Sequence, residues 1–242
     1  MEKERNVTLE IAYKPSLNAN ALKIIAVTAM VVDHTTIWLV PSNTALYVIL
    51  RMFGRLAAPI MCYLISEGYF HTSNKKKYLK RLFIFALISH YPYILYFNLT
   101  SFQATSIIWG LFAGFLALSI SQSKVMPLGL KVFFILLCCL ISWTADWNYI
   151  SVLWILAFGL FRNHFSRQMA SFILIGMLFY VLPDFSIFET TSIFRLGILL
   201  ALPLFTIYDG TLGKKSFLMK WSFYIIYPGH LLILYVLRYY IF

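Results

Sequence analysis

Nine long apolar stretches, separated by short polar connections, are the strongest constraint on how this chain folds. They cover approximately residues 22–40, 45–70, 78–97, 106–121, 126–143, 149–162, 168–183, 193–209 and 220–241. An α-helix of about 20 apolar residues is long enough to cross the hydrocarbon layer of a bilayer. Hydrophobic residues make up 61% of the chain, which leaves too little polar surface for a water-soluble domain. We therefore predict an all-α integral membrane protein, a polytopic bundle of about nine transmembrane helices.

The distribution of positive charge indicates the orientation of this bundle. Sixteen of the 20 Lys and Arg residues lie in the N-terminal region or in even-numbered connections. They are Lys3, Arg5, Lys14, Lys23, Lys75, Lys76, Lys77, Lys80, Arg81, Lys124, Lys131, Arg162, Arg167, Lys214, Lys215 and Lys220. Basic connections stay in the cytoplasm, so we expect a cytoplasmic N-terminus and nine crossings. The net charge of +11 comes with no nucleic-acid-binding motif, and we expect no nucleic acid partner.

The chain contains no internal repeat and no linker that would divide it. We predict a cytoplasmic N-terminal tail over residues 1–21 and a single transmembrane domain over residues 22–242. The cysteines Cys62, Cys138 and Cys139 lie in apolar stretches without metal-ligand spacing, so we expect no metal site. Pro59 interrupts the second stretch, which we interpret as a kinked or re-entrant helix.

Several ionisable side chains lie inside the apolar stretches. Each costs about 2.5–3.5 kcal/mol near the bilayer centre unless it has a partner, a watery cavity or a function. They are Asp33 and His34 in the first stretch, Arg51, Arg55 and Glu67 in the second, His90 in the third and His230 in the ninth. So much buried polarity favours an enzyme or a transporter over a purely structural bundle. A lone histidine such as His90 is either an interhelical contact or a catalytic group.

The first and second stretches bring opposite charges within reach of each other. Arg51 and Arg55 are four residues apart and therefore project from the same face of a helix. Asp33 is the expected counter-ion of one of them, or Glu67 takes that place. Because adjacent helical residues project about 100° apart, Asp33 and His34 do not orient each other. We expect His34 to remain free to titrate near neutral pH.

Motifs along most of the chain resemble those of the TraX-like membrane proteins. The residues that carry this resemblance are Leu22-Lys23-Ile24-Ile25-Ala26, Met30-Val31-Val32-Asp33-His34, Gly54-Arg55-Leu56-Ala57-Ala58-Pro59, Glu67-Gly68-Tyr69, Tyr78-Leu79-Lys80-Arg81-Leu82, Ser89-His90-Tyr91-Pro92-Tyr93, Ala145-Asp146-Trp147, Lys220-Trp221-Ser222-Phe223-Tyr224 and Tyr227-Pro228-Gly229-His230-Leu231. The family is named for the enzyme that acetylates the amino terminus of F-type pilin. In outline it is also similar to broader transmembrane acyltransferases.

The resemblance implies a multi-pass acyltransferase of the bacterial cytoplasmic membrane. Its acyl donor would be cytosolic acetyl-CoA, and its acceptor would be the N-terminal amine of a pilin-like or other exported peptide. O-acetylation of a cell-envelope glycan is the alternative within enzymes. A transporter or lipid-handling membrane protein is the alternative outside them, and it would not consume acetyl-CoA.

Acetyl transfer from a thioester needs a base for the acceptor proton and donors for the developing oxyanion. We assign the base to His34, or to His230 if His34 does not serve, with His90 as a further candidate. Arg55 or Arg51 would stabilise the oxyanion or bind a pyrophosphate, with Asp33 fixing their geometry. Direct transfer is preferred to a transient acyl-histidine.

Coenzyme A is a polyanion, so its nucleotide end should stay at the cytoplasmic surface. The basic residues expected to contact it are Lys75, Lys76, Lys77, Lys80, Arg81, Lys214 and Lys215.

Overall fold

The computed structural model describes residues 16–184, 190–214 and 217–241. All regular structure in these ranges is helical, apart from two isolated β-bridges. The α-helices are α1 (Ala19–Leu39), α2 (Ala45–Gly54), α3 (Ala57–His71), α4 (Lys75–Phe97), α5 (Ile107–Ser121), α6 (Leu128–Ile141), α7 (Asn148–Leu160), α8 (Phe165–Gly176), α9 (Ala201–Thr206) and α10 (Phe217–Val236). The prediction of an all-α fold is confirmed for these residues.

Three helical stretches in the described ranges are both long and apolar enough to cross a membrane. They are Ala19–Leu39, Ala45–His71 and Phe165–Asp184. Shorter apolar helices cover Ile107–Ser121, Leu128–Ile141, Asn148–Leu160 and Ser192–Thr206. Each of the nine predicted apolar stretches coincides with helical structure, and this amount of apolar helix is typical of a membrane protein.

The second stretch is interrupted between α2 and α3, at Arg55 and Leu56. Pro59 is the third residue of α3 and has no N–H to donate to the carbonyl of Arg55, four residues earlier. The break therefore precedes Pro59 by one turn. Both residues keep right-handed helical backbone angles, so α2 and α3 together form one apolar stretch of 27 residues.

Alternate connections meet at the two ends of the bundle. At one end, the backbone of Leu17 is hydrogen-bonded to Ile207 and Asp209, which ties the start of α1 to the connection after α9. At the other end, Thr105 before α5 forms a β-bridge with Ala145 before α7. These backbone contacts join connections that are far apart in the sequence.

Helix α6 lies at the edge of the bundle. Cys138 is its buried residue, whereas large apolar side chains such as Leu128, Leu136 and Leu140 are more than half exposed. An apolar face of this size on a described helix is characteristic of contact with lipid or another apolar partner.

Candidate active site

Asp33 on α1 is paired with both arginines of the second stretch. Arg55 Nη2 donates a hydrogen bond to Asp33 Oδ2 at 2.5 Å. Arg51 Nη1 lies 2.8 Å from the same oxygen, at an angle that makes the contact an ion pair rather than a hydrogen bond. The three side chains are each only about a tenth exposed, at 11–12%. The predicted pairing is confirmed, and it involves both arginines instead of one.

The close approach of α1 and α2 makes this pairing possible. Gly54 ends α2, and a Cβ atom at this position would overlap the side chain of Asp33. A larger residue would therefore push Asp33 away from the arginines. The other carboxylate oxygen, Asp33 Oδ1, is buried and has no hydrogen-bond partner in the part of the chain described here.

Aromatic rings hold the two guanidinium groups from the opposite side. Phe194 lies under both, with its ring centroid 4.9 Å from Arg51 Cζ and 5.4 Å from Arg55 Cζ. Arg55 is also 5.6 Å from the ring of Trp147 and donates from Nη1 to the Tyr180 hydroxyl at 2.9 Å. Cation–π contacts and hydrogen bonds together fix the direction of each charge.

Tyr180 reaches Arg55 from a turn of π-helix, Met177–Val181, that follows α8. Such turns insert one extra residue and often occur at functional sites because they redirect side chains. A helical pattern in the sequence does not show where a π-turn will form, and the sequence analysis did not identify Tyr180.

His34 is hydrogen-bonded to His230, so the expectation that His34 would be free is wrong. His34 Nδ1 lies 2.7 Å from His230 Nε2. The two rings are nearly coplanar, at 6°, with centroids 5.0 Å apart. A nitrogen–nitrogen distance this short requires an edge-to-edge hydrogen bond, not stacked ring faces. Two residues considered as alternative bases are therefore joined in one unit.

A backbone carbonyl determines the direction of this hydrogen bond. His230 Nδ1 lies 2.8 Å from the carbonyl oxygen of Ile226, which can only accept. His230 Nδ1 therefore carries hydrogen, and with both rings neutral its Nε2 accepts from His34 Nδ1. In this arrangement the free lone pair of the unit is on His34 Nε2.

Asp33, Arg55 and His34 line one cavity of about 40 Å³, whereas Arg51 approaches Asp33 from outside this lining. This volume holds roughly three water molecules or one small group of a few heavy atoms. Its lining residues come from α1, α2, α3, α5, α10 and two connections: Ala26, Met30, Asp33, His34, Gly54, Arg55, Ala57, Ala58, Met61, Ile107, Asp146, Trp147, Phe223 and Tyr227.

Asp146 is a cavity residue that the sequence analysis did not assign to the site. The β-bridge between Thr105 and Ala145 carries its backbone into the bundle, where Asp146 N–H donates to Thr105 O at 3.0 Å. The side chain of Asp146 is partly open to solvent and also borders the cavity. Burial raises the pKa of Asp146 to about 6, and the positive charge of Arg55 opposes that rise.

Two other polar residues lie apart from this cluster. Glu67 forms a two-pronged ion pair with Arg162, at 2.9 and 3.2 Å, so it is not the counter-ion of Arg51 or Arg55. His90 does not line the cavity, and its Nδ1 is buried without a hydrogen-bond partner in the described ranges.

The basic residues expected to bind a nucleotide lie near the starts of α4 and α10. Lys75, Lys76, Lys77, Lys80 and Lys214 are exposed, whereas Arg81 is half-buried. Lys215 lies outside the described residues.

Comparison with known proteins connects this chain to a family. A family model described as "TraX protein" matches residues 18–238, which includes every motif noted in the sequence. The "Probable fimbrial assembly protein FimC, serogroup H1" of Dichelobacter nodosus is 29% identical over 231 residues, covering 90% of this chain and 94% of that protein. No solved structure matches significantly. With nearly its whole length matched by one family model, the chain belongs to the TraX protein family.

Proposed function

We propose that this protein is a membrane-embedded acyltransferase that moves an acetyl group from cytosolic acetyl-CoA to an acceptor at or beyond the membrane. The observation that supports it most is the hydrogen bond between His34 and His230, because His34 lines the same cavity as the doubly paired Asp33. Membership of the TraX family agrees with this assignment.

His34 is the general base in this proposal. Its Nε2 carries the lone pair, and the hydrogen bond from His34 to His230 fixes the ring and its tautomer. The acceptor nitrogen forms a bond to the acetyl carbon while the bond from that carbon to the thioester sulfur breaks. His34 Nε2 takes the proton that the amine loses in this step and returns it to the departing thiolate. His230 acts by positioning His34.

Arg55, which lines the cavity, stabilises the negative charge that develops on the acetyl oxygen, and Arg51 adds its positive charge through the shared oxygen of Asp33. Two guanidinium groups share one carboxylate oxygen, so this cluster carries one positive charge more than Asp33 neutralises. Fixed positive charge in a site with little water favours a developing oxyanion strongly, and the loss of one such donor typically slows acyl transfer by about 10²–10³-fold.

The cavity is of a size that suits a short acyl group. An acetyl group has few heavy atoms and is small enough for a cavity of about 40 Å³. When bound, acetyl-CoA supplies the activated acetyl group. Its phosphates would be attracted by exposed lysines at the protein surface: Lys75, Lys76, Lys77, Lys80 and Lys214.

An amine is the preferred acceptor. Asp146 lines the cavity, and an ionised carboxylate there would attract the ammonium form of an N-terminal amine before it loses its first proton. The relative from Dichelobacter nodosus is named as a fimbrial assembly protein, which agrees with a pilin-like or other exported peptide as substrate.

The proposed setting is the bacterial cytoplasmic membrane, with nine crossings and a cytoplasmic N-terminus. The basic connections support this orientation through the positive-inside rule. Asp146 and Tyr180 would then lie towards the outer side, where an exported acceptor arrives.

The acceptor can be tested with purified protein in nanodiscs of neutral lipid, supplied with isotopically labelled acetyl-CoA. A peptide with a free N-terminal amine is compared with the same peptide blocked at that amine, and a cell-envelope glycan is offered separately. We expect label on the free amine alone, in a base-stable amide detected by mass spectrometry. Base-labile label on the glycan would instead indicate an O-acetyltransferase. Folded protein that neither binds acetyl-CoA nor releases free CoA would favour a transporter or lipid-handling role.

A further inference from the structure

A second group of positive charges lies where α1, α4 and α10 begin, at the end of the bundle opposite Asp146. Arg81, on α4, is surrounded by three aromatic rings. Its Cζ is 4.7 Å from the ring of Tyr78, 5.2 Å from Tyr224 and 5.9 Å from Trp221. Its Nε is buried and has no hydrogen-bond partner in the described part of the chain. Arg81 is therefore held rigidly, unlike the exposed lysines before it.

Lys23, on the second turn of α1, is close enough to Arg81 for the two positive charges to act on each other. Both side chains are only partly exposed. Like charges in such surroundings repel each other and lose hydration, which makes the state without a ligand unfavourable. A bound anion would neutralise this repulsion.

No carboxylate in the described ranges neutralises this pair. Those present are engaged elsewhere or lie at the other site: Asp33 with Arg51 and Arg55, Glu67 with Arg162, Asp184 with Arg195, Asp209 with Thr211, and Asp146 on the cavity. Among the described residues no acidic partner is left for this pair, which suits the binding of an external anion.

The position of Lys23 connects this group to the cavity. Lys23 is followed by Ala26, Met30 and Asp33, spaced at helical intervals of three and four residues, and these three line the cavity. Ten residues of α-helix separate Lys23 from Asp33, a rise of about 15 Å. On α10, Tyr224 contacts Arg81 while the adjacent Phe223 and the later Tyr227 line the cavity.

We propose that Lys23 and Arg81 form a binding site for a phosphate group and that their ligand is the diphosphate of the acyl donor. This inference rests on the proposed acetyltransferase function and adds Lys23 to the residues that bind the donor. The pantetheine arm would then extend along the face of α1 from the diphosphate to the cavity, and its length would place the thioester beside His34. Asn20 Nδ2 donates to the carbonyl oxygen of Lys214 at 2.8 Å, which places Lys214 beside the same entrance.

The test measures binding and turnover in nanodiscs of neutral lipid, with acetyl-CoA and with S-acetyl-pantetheine, which lacks the diphosphate. Lys23→Gln and Arg81→Gln are compared with wild type and with Lys124→Gln, a control at an exposed residue in a connection that contacts neither site. We expect each site variant to bind acetyl-CoA at least tenfold more weakly while using S-acetyl-pantetheine as well as wild type does. The control should match wild type with both donors, and Lys23→Arg should restore much of the acetyl-CoA affinity.

Two results would overturn this assignment while leaving the proposed function intact. One is unchanged acetyl-CoA affinity in both glutamine variants. The other is that the variants lose association with phosphatidylglycerol in anionic nanodiscs but bind acetyl-CoA normally, which would make the ligand a lipid phosphate. If wild type uses neither donor, the proposed function itself fails. This outcome differs from the two above, in which wild type still transfers acetyl groups.

Discussion

His34 Nδ1 and His230 Nε2 lie 2.7 Å apart in nearly coplanar rings, although 196 positions separate them in the chain. The carbonyl of Ile226 accepts from the other nitrogen of His230 and so gives the pair a direction. This relationship leaves the free lone pair of the unit on His34, and in the proposed reaction His34 is the base that His230 orients.

Replacement of His230 by Ala should lower kcat for acetyl transfer by about 10²–10³-fold, within the range for general base catalysis, and leave the affinity for acetyl-CoA unchanged. His230→Gln should recover part of the rate because its amide oxygen can accept from His34 Nδ1. The measurement is steady-state turnover together with donor binding for each variant. An alanine variant with wild-type kcat would show that His34 needs no orienting partner.

The Asp33 pairing predicts a large difference between two acidic residues. Asp33→Asn leaves two buried guanidinium groups without their counter-ion and should destabilise the protein by about 3–5 kcal/mol. Glu67→Gln weakens a pair whose Arg162 is 35% exposed, and its effect should be about 1 kcal/mol or less. Unfolding in detergent measures both variants, and equal losses would contradict the assigned importance of the Asp33 cluster.

Gly54→Ala should displace Asp33, because the added Cβ would overlap its side chain. We expect a loss of about 1–3 kcal/mol in unfolding free energy together with reduced turnover. Gly129→Ala on α6 is the matched control: no atom lies within 4 Å of the new Cβ, and alanine should stabilise the helix slightly. A Gly54→Ala variant as stable and active as this control would argue against the close approach of α1 and α2.

The raised pKa of Asp146 predicts a pH dependence of stability. Its pKa is about 6 in the folded protein and near 3.8 when unfolded, so the folded state holds more protons between these values. Stability should therefore fall as the pH rises from about 4 to about 6. At higher pH Asp146 is ionised in both states and no longer changes the stability. Asp146→Asn should remove this dependence and increase stability at neutral pH. Thermal unfolding from pH 4 to pH 7.5 compares the two proteins, and identical pH profiles would contradict the prediction.

The size of the cavity predicts selectivity among acyl donors. Acetyl-CoA should be used much faster than hexanoyl-CoA, because a cavity of about 40 Å³ is small for four further carbons. Met61→Ala enlarges the cavity and should increase turnover of butyryl-CoA relative to acetyl-CoA. Equal use of acetyl and hexanoyl donors by wild type would show that the acyl group binds elsewhere.

The helices and the pairing of Asp33 could be predicted from the sequence because both depend on local patterns. Apolar runs indicated the helices, and the four-residue spacing of Arg51 and Arg55, one short connection from Asp33, indicated their pairing. The His34–His230 bond and the entry of Asp146 depend on how distant helices pack, which local periodicity does not show. Glu67 illustrates the same limit, since its partner Arg162 comes from a connection 95 positions away.

The central claim is that His34 and His230 act together in acetyl transfer. Its most direct test is the rate of acetyl transfer from acetyl-CoA to a peptide amine by wild type, His34→Ala, His230→Ala and the double variant, with the exposed His164→Ala as control. We predict that the control matches wild type, that each single variant retains folding and donor binding but loses at least about 100-fold in kcat, and that the double variant is hardly slower than His34→Ala. Full activity in His34→Ala, in folded protein that binds the donor, would contradict the account.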